Sequence, residues 1–298
     1  MSTQTKYPTS RTEIGKGNEL KRATVVLTGA TTGIGRATAE LIANRVGFLI
    51  LHGLQSEKEA DEILQSVRAS MGPGIRLAYA RADFTDLSEV GRLAEEIDGL
   101  TDRVDILINN AARPGPTRHT VNDAGIEVTL QTNYLAPVAL TTELLRLLGA
   151  GSVGRVVNIA SATHHSATLE LDDLNLARHP YSASTTYAHS KLALVTYTGW
   201  LAANRPHPSL NVVSMHPGIV STDLLHAMFA IDGERPEQAA ANIQHVASLE
   251  GDNGSYYDER RVTRPNPQAL DPGNQTRLHD LTTQMLEQAA TSTRQDRM

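Results

Sequence analysis

The sequence predicts an α/β chain built on a doubly wound parallel sheet with helices on both faces. Three observations predict it. Short apolar runs, rich in β-branched residues, alternate with helical patterns of ten or more residues along most of the chain. The runs are mainly apolar, which suits strands buried on both sides, and the alternation is that of βαβ units. The first run opens into a glycine-rich turn, Gly29-Ala30-Thr31-Thr32-Gly33-Ile34-Gly35, that leads into a helix. Right-handed crossovers then close the units into a three-layer α/β/α sandwich of the Rossmann type.

Taken in order, Ala23–Thr28 is the first strand, and Gly33 to about Arg45 a helix with Ile34, Ala37, Leu41 and Ile42 on one side. Phe48–His52 is strand two, Glu57–Ser70 a helix, Ile75–Ala80 strand three, Leu87–Asp98 a helix and Val104–Ile108 strand four. A long helix is expected over Asp123–Leu148, strand five over Arg155–Ala160, a helix over Tyr187–Asn204 and strand six over Leu210–Met215. A helix over Pro236–Ser248, a short last strand over Ser255–Tyr257 and a helix over Gln275–Gln288 complete the pattern. No repeat or low-complexity linker interrupts it. Residues 21–288 therefore read as a single domain between flexible tails at 1–20 and 289–298.

The bulk composition excludes several classes. Lys plus Arg total 27 and Asp plus Glu 33, a net charge of −6. That argues against nucleic acid or an anionic membrane surface as the main partner. The absence of cysteine removes disulfides, thiol nucleophiles and thiolate metal sites, and fits a cytoplasmic protein. No run approaches the ~18 apolar residues that span a bilayer, and residues 1–20 lack a hydrophobic signal core. No metal is expected, because no His, Asp or Glu cluster has ligand spacing. His164-His165 reads as a polar loop at a pocket rim, and His216 as a packed strand-end residue.

Two motifs carry chemistry. The glycine turn permits close backbone approach, and the helix after it offers unpaired N–H groups to a pyrophosphate. Far downstream, Tyr187 and Lys191 stand at i and i+4, on one face of a helix. A free tyrosine titrates near ~10. A fixed cation beside it is expected to lower that value, which would make the pair a general acid/base toward an alcohol or carbonyl.

Thr-Gly-x-x-x-Gly-Ile-Gly, then Asn109-Asn110-Ala111-Ala112, then Tyr-x-x-x-Lys resembles the short-chain dehydrogenase/reductase family over about residues 22–285. Ala112 departs from the glycine that family usually has there. The resemblance implies a nicotinamide dinucleotide held by Gly29, Thr31, Gly33, Ile34, Gly35, Asn110 and Ala111, with Asp83 at the adenine edge. It also implies Pro217, Gly218 and Thr222 at the nicotinamide carboxamide. It implies a tetrad as well. Ser161 would hold the substrate oxygen against Tyr187, Lys191 would bind ribose hydroxyls, and Asn133 would hold a water in a proton relay. The implied reaction is hydride transfer between the cofactor and a carbonyl or secondary alcohol of an apolar or polycyclic small molecule.

The end of strand two, His52-Gly53-Leu54-Gln55-Ser56, has neither the acid that reads the ribose 2′-hydroxyl of NAD nor the arginine that accommodates NADP. The missing acid favours NADP, with NAD as the alternative and Arg36, Lys58 or His52 as sources of positive charge. Between Ser161 and Tyr187 lies a hairpin-like insertion, Leu171–Ser182. With Ser190-Lys191-Leu192-Ala193 and the tail Gly254-Ser255-Tyr256-Tyr257, Pro265–Asp271 and Leu278–Leu281, it resembles the retinol-dehydrogenase-like branch. The apolar run Leu224–Ile231 is either a lid over the substrate or a core-facing helix. Leu192, Val195 and Trp200 belong either to the core or to a homodimer face, since relatives pair through the two long helices. Two other functions stay open at this point: a cofactor-binding regulator or scaffold, and a non-redox biosynthetic enzyme on the same fold.

Overall fold

A computed structural model describes residues 22–151, 154–228 and 231–295. The tail expected at 1–20 lies outside the described residues, as do 296–298. The first six strands are β1 (Thr24–Leu27), β2 (Phe48–Gly53), β3 (Arg76–Arg81), β4 (Ile106–Asn109), β5 (Gly154–Ile159) and β6 (Leu210–His216). Together with β7 (Tyr256–Asp258) and β8 (Arg261–Thr263) they form one sheet in the order β3-β2-β1-β4-β5-β6-β7-β8. All neighbours pair parallel except the β7–β8 hairpin. A single last strand was expected; the hairpin closes through Glu259, whose φ of 54° makes the tight reversal.

The sheet is buried on both faces because its side chains alternate between two cores. On one face Val26, Ile50, Leu107, Val156 and Val212 pack against helices α3 (Leu87–Leu100), α4 (Val128–Leu130), α5 (Ala136–Glu143), α6 (Leu145–Leu148), α7 (Ala183–Ala203) and α10 (Pro272–Gln295). On the other, Val25, Leu49, Ile108, Val157 and Val213 pack against α1 (Gly33–Ile42), α2 (Asp61–Ser70) and α9 (Pro236–Ala247). Each fully buried aliphatic side chain contributes about 1.5–3 kcal/mol relative to exposure. The remaining helix, α8 (Asp223–Met228), buries no residue.

Several boundaries move for identifiable reasons. The helix expected from Glu57 starts at Asp61, because the Glu59 carboxylate accepts from the Ser56 N–H (2.8 Å) and hydroxyl (2.6 Å) and holds a turn there. Tyr187 lies more than a turn inside its helix, which begins at Ala183 because the Ser182 hydroxyl caps the Thr185 N–H (3.1 Å). The long helix expected from Asp123 begins at Val128. Before it, Asn122 turns the chain by accepting from the Ala124 and Ile126 N–H groups. A π-helical turn, Gln131–Leu135, then interrupts it.

The expected hairpin-like insertion forms no strands. Asp173 instead gathers the loop by accepting from the N–H groups of Ala177 (3.0 Å) and Arg178 (2.8 Å) and from His179 Nδ1 (2.7 Å). The expected tail from 289 is also revised: α10 continues to Gln295 and buries Ala289. It lies across α7, where Leu192 and Val195 are core residues and the Trp200 indole stacks on His279 with ring centroids 3.5 Å apart.

Candidate active site

The sequential order of the strands reverses between β1 and β4, and a cavity of about 910 Å³ opens there, outside the carboxyl ends of the strands. Its floor is the glycine turn. Gly29 has φ +64°, and a Cβ on it would lie 2.7 Å from Ala111 Cα. A Cβ on Gly35 would lie 1.9 Å from the Gly29 carbonyl oxygen. Only glycine fits either position. The Thr28 hydroxyl accepts from the N–H groups of Asn110 and Ala111 (both 3.0 Å), and Asn110 Nδ2 donates to the carbonyls of Thr28 (2.9 Å) and Gly29 (3.1 Å). The β4 end thus braces the turn.

Thr32 caps α1 without a side-chain bond, and Gly33, Ile34 and Gly35 of the first turn line the cavity at the positive end of the helix. A backbone approach that excludes any Cβ, followed by open amides, fits a dinucleotide pyrophosphate. Thr31 and Asp83 line the same cavity, and Asp83 Oδ1 is held by the Thr85 N–H (2.9 Å) and hydroxyl (2.8 Å). The loop after β6 forms the opposite wall with Pro217, Gly218 and Thr222. It leans over the turn so closely that a Cβ on Gly33 would lie 3.2 Å from Thr222 Cγ2.

The ribose end corrects all three expected sources of positive charge. His52 is not a source of positive charge. Its Nδ1 accepts from the Gly29 N–H (3.3 Å), its Nε2 faces the Ala82 carbonyl (3.0 Å), and burial pushes its pKa down to about 4. It is a neutral strut, stacked on Phe84 at 4.3 Å, that joins the glycine turn to the end of β3. Arg36 is paired with Glu40 (3.2 Å) and Glu62 (3.4 Å), away from the cavity lining. Lys58 is exposed and also outside that lining. Leu54 and Gln55 line the cavity, and Gln55 Oε1 accepts from the Thr31 hydroxyl at 2.7 Å.

At the catalytic end, Ser161, Tyr187 and Lys191 converge on the cavity from β5 and α7. The Tyr187 phenol and the Ser161 side chain are neighbours in that lining. Lys191 Nζ donates to the Ile159 carbonyl (2.7 Å) and stands 5.6 Å from the centre of the Tyr187 ring. The expected lowering of the tyrosine's titration is not found. Burial pushes the phenol up to about 12 against the opposing influence of the Ser161 side chain, and burial pushes Lys191 down to about 7. Both groups lie in the interior, where desolvation disfavours each charged form. The arrangement can present a neutral phenol, beside the Ser161 side chain, to an oxygen atom in the cavity.

Asn133 is the one expected site residue that does not line the cavity. Its Oδ1 accepts from the Arg113 N–H (2.9 Å), and its Nδ2 donates to the Arg113 carbonyl (3.0 Å) and the Ser190 hydroxyl (3.2 Å). With both amide hydrogens committed, its side chain braces the loop after β4 against α7. The π turn widens the helix where Asn133 makes these bonds.

Other residues escaped the sequence reading. Glu127, fully buried, caps α4 by accepting from the N–H groups of Thr129 (2.9 Å) and Leu130 (2.7 Å). It also accepts from Thr186 Oγ1 (3.0 Å) and the Tyr181 hydroxyl (2.8 Å), tying the loop before α7 to the residue next to Tyr187. An acid immediately before a helical run was the available signal. Arg113 lines the cavity with its Nε buried and without a hydrogen-bond partner. His164 is fully buried, not at a rim, and contacts the Ser161 backbone. His216 lines the cavity, buried as expected. Leu224, Leu225 and Met228 on α8 also line it, with Ile219 and Ile231, so the described part of the apolar run is a wall of the site and not a core helix; Phe229 and Ala230 lie outside the described residues. No group of residues suited to hold a metal ion occurs among the described residues, and no helix among them is long and apolar enough to cross a membrane.

Comparison with known proteins agrees with this geometry. The family model described as short chain dehydrogenase matches residues 23–232. Retinol dehydrogenase 13 of Mus musculus is 32% identical over 267 residues, covering 83% of this chain and 79% of its own. DnrU of Streptomyces sp. (strain C5), whose name provisionally assigns it daunorubicin C-13 ketoreduction, is 34% identical over 266 residues, with 86% and 89% coverage. Among solved structures, an uncharacterized protein from Mycobacterium paratuberculosis superposes with a TM-score of 0.73 at 28% identity, over 90% of this chain and 96% of its own. A short chain dehydrogenase from Burkholderia cenocepacia in complex with NADP gives 0.63 at 25% identity, with 82% and 98% coverage. The chain belongs to the short-chain dehydrogenase/reductase family, in its retinol-dehydrogenase-like branch, and is an NAD(P)-dependent oxidoreductase acting on CH–OH and C=O groups.

Proposed function

We propose that this chain interconverts the carbonyl and secondary alcohol of an apolar or polycyclic small molecule with NADP(H), using Tyr187 as the general acid/base. One observation carries the reading: Ser161, Tyr187 and Lys191 line the same cavity as the apolar wall of Leu224, Leu225, Met228 and Ile231. The nicotinamide, when bound, supplies the hydride chemistry. Ser161 holds the substrate oxygen beside Tyr187. The phenol, kept protonated by burial, donates its proton to that oxygen during reduction and accepts it back during oxidation. Lys191 lies behind the phenol, with Nζ anchored on the Ile159 carbonyl, where ribose hydroxyls would meet it. NADP is favoured because no carboxylate stands at Leu54–Gln55 to repel a 2′-phosphate, and the Burkholderia relative carries NADP. The names of the relatives, retinol dehydrogenase and daunorubicin ketoreductase, support an apolar substrate.

The test mixes purified protein with NADPH or NADH and a panel of apolar aldehydes and ketones, retinal and a polycyclic ketone included, and follows nicotinamide absorbance. Turnover is expected with at least one substrate. Tyr187→Phe should lower kcat by roughly 10²–10⁴-fold and leave the cofactor Kd unchanged. Normal turnover in that variant, or no binding of either cofactor by the parent protein, would overturn the reading.

A further inference from the structure

The catalytic serine is held by more than its own strand. Ser161 ends the extended segment after β5 and caps a 3₁₀ turn, Ala162–Ser166. Its carbonyl accepts two hydrogen bonds from one residue, the His164 N–H (3.2 Å) and His164 Nδ1 (2.6 Å). The other ring nitrogen, Nε2, faces the backbone N–H of Asn266 at 3.3 Å. A backbone N–H only donates, so Nε2 must accept, and the ring's single hydrogen must sit on Nδ1 and point at Ser161. Burial pushes the His164 pKa down to about 4, so the ring is neutral at ordinary pH and this tautomer is the one its two partners select.

Asn266 does more than fix the tautomer. Its Nδ2 is shared among the carbonyls of His164 (3.0 Å), Ala167 (3.0 Å) and His165 (3.3 Å), and its Oδ1 accepts from the Gln268 N–H (2.9 Å). Gln268 Oε1 in turn accepts from the Leu169 N–H (3.0 Å), at the far end of the same loop. Residues 266–268 therefore hold both ends of the segment that begins with the serine, across about a hundred positions of sequence.

We propose that His164 and Asn266 form a positioning couple for Ser161, so that Asn266, beyond β8, supports the active site from about a hundred positions away. The proposal rests on Ser161 acting in catalysis, as in the proposed function. His164 and Asn266 touch neither substrate nor cofactor; they set the carbonyl, and through it the Cα and hydroxyl, of the residue that orients the substrate oxygen. Misplacement of a reacting group by about 1 Å costs on the order of 100-fold.

Four variants separate positioning from mere support. Asn266→Asp keeps the bond to Gln268 and loses the donor to the three carbonyls. His164→Asn keeps a donor near the Nδ1 position, and His164→Gln keeps an acceptor near Nε2 instead. Gln268→Ala removes the outer staple and leaves the couple intact. With the best carbonyl substrate of the panel, Asn266→Asp and His164→Gln should lower kcat by roughly 10- to 100-fold, at unchanged cofactor Kd. His164→Asn should retain most of kcat, and Gln268→Ala should lower Tm with kcat unchanged. Long-range ¹⁵N NMR of the imidazoles tests the couple without any substrate, and so independently of the proposed reaction. The Nδ1–H tautomer is expected at His164 in the parent protein and in Gln268→Ala, where both ring partners remain. An Nε2–H tautomer in the parent overturns the proposal. So does a kcat that falls equally in all four variants, or in none. No turnover by the parent on the whole panel would count against the proposed function, leaving the tautomer result to decide the couple.

Discussion

Lys191 makes the cofactor-free protein less stable than it would be without it. The side chain is 2% exposed, and its ammonium has one protein partner in the hydrogen-bond network, the Ile159 carbonyl. Burial lowers its pKa from 10.5 to about 7. Between those values the unfolded lysine holds a proton that the folded one has released. Raising the pH through that window therefore favours the folded state, by about 1.4 kcal/mol per unit. At about pH 7.5 the remaining gap is about three units, so the lysine costs about 4 kcal/mol. Lys191→Met removes that cost and strands the Ile159 carbonyl, a loss of about 1–3 kcal/mol. The variant should be more stable by about 1–3 kcal/mol, and Tm should rise by roughly 2–4 °C for each.

The assay is thermal or urea unfolding of the two proteins without cofactor, from about pH 6.5 to about pH 9.5. The gap between them should be widest at the low end and close as the pH rises, while activity is lost in the variant throughout. A variant that melts lower at neutral pH, or that keeps a constant gap across the series, refutes the buried-lysine reasoning. This is the signature of a group retained for chemistry at the expense of the fold.

Two further predictions test the cofactor end. Gly35→Ala places a Cβ 1.9 Å from the Gly29 carbonyl, which must displace the turn; NADPH affinity measured by fluorescence titration should fall by at least roughly tenfold, and an unchanged affinity would mean the turn is not the pyrophosphate site. Leu54→Arg puts a guanidinium on an exposed cavity-lining position; the Kd ratio should move toward NADPH by roughly tenfold, and no movement would place the 2′-phosphate elsewhere.

The succession of strands was legible because most of them are short runs rich in β-branched and aliphatic residues, set between helical patterns. The glycine turn was legible because close backbone approach admits only one residue type, as the Gly29 and Gly35 contacts demonstrate. Tyr187 and Lys191 were legible because the helical period alone puts them on one face. Their titration behaviour was not. The i, i+4 spacing says that the cation is near the phenol, whereas the sign of the shift depends on how deeply both are buried, and that is set by helices and loops far away in sequence.

The same division explains His52 and His164. A histidine after a strand reads as a polar or charged residue until its neighbours in space are known. For His52 those neighbours are Gly29 and Ala82; for His164 they are Ser161 and, about a hundred residues later, Asn266. Asn133 belongs with them, since the amide expected to face a relay water is consumed by Arg113 and Ser190. The sequence by itself determined the α/β class, the place of the glycine turn and the shared face of the tyrosine and lysine, and each of these follows from local steric or periodic constraints. The serine was named by the family resemblance alone. Only the tertiary structure decided which polar groups remain free to act. Hydrogen-bond satisfaction and desolvation are properties of residues that meet in space, and the chain carries no local record of those meetings.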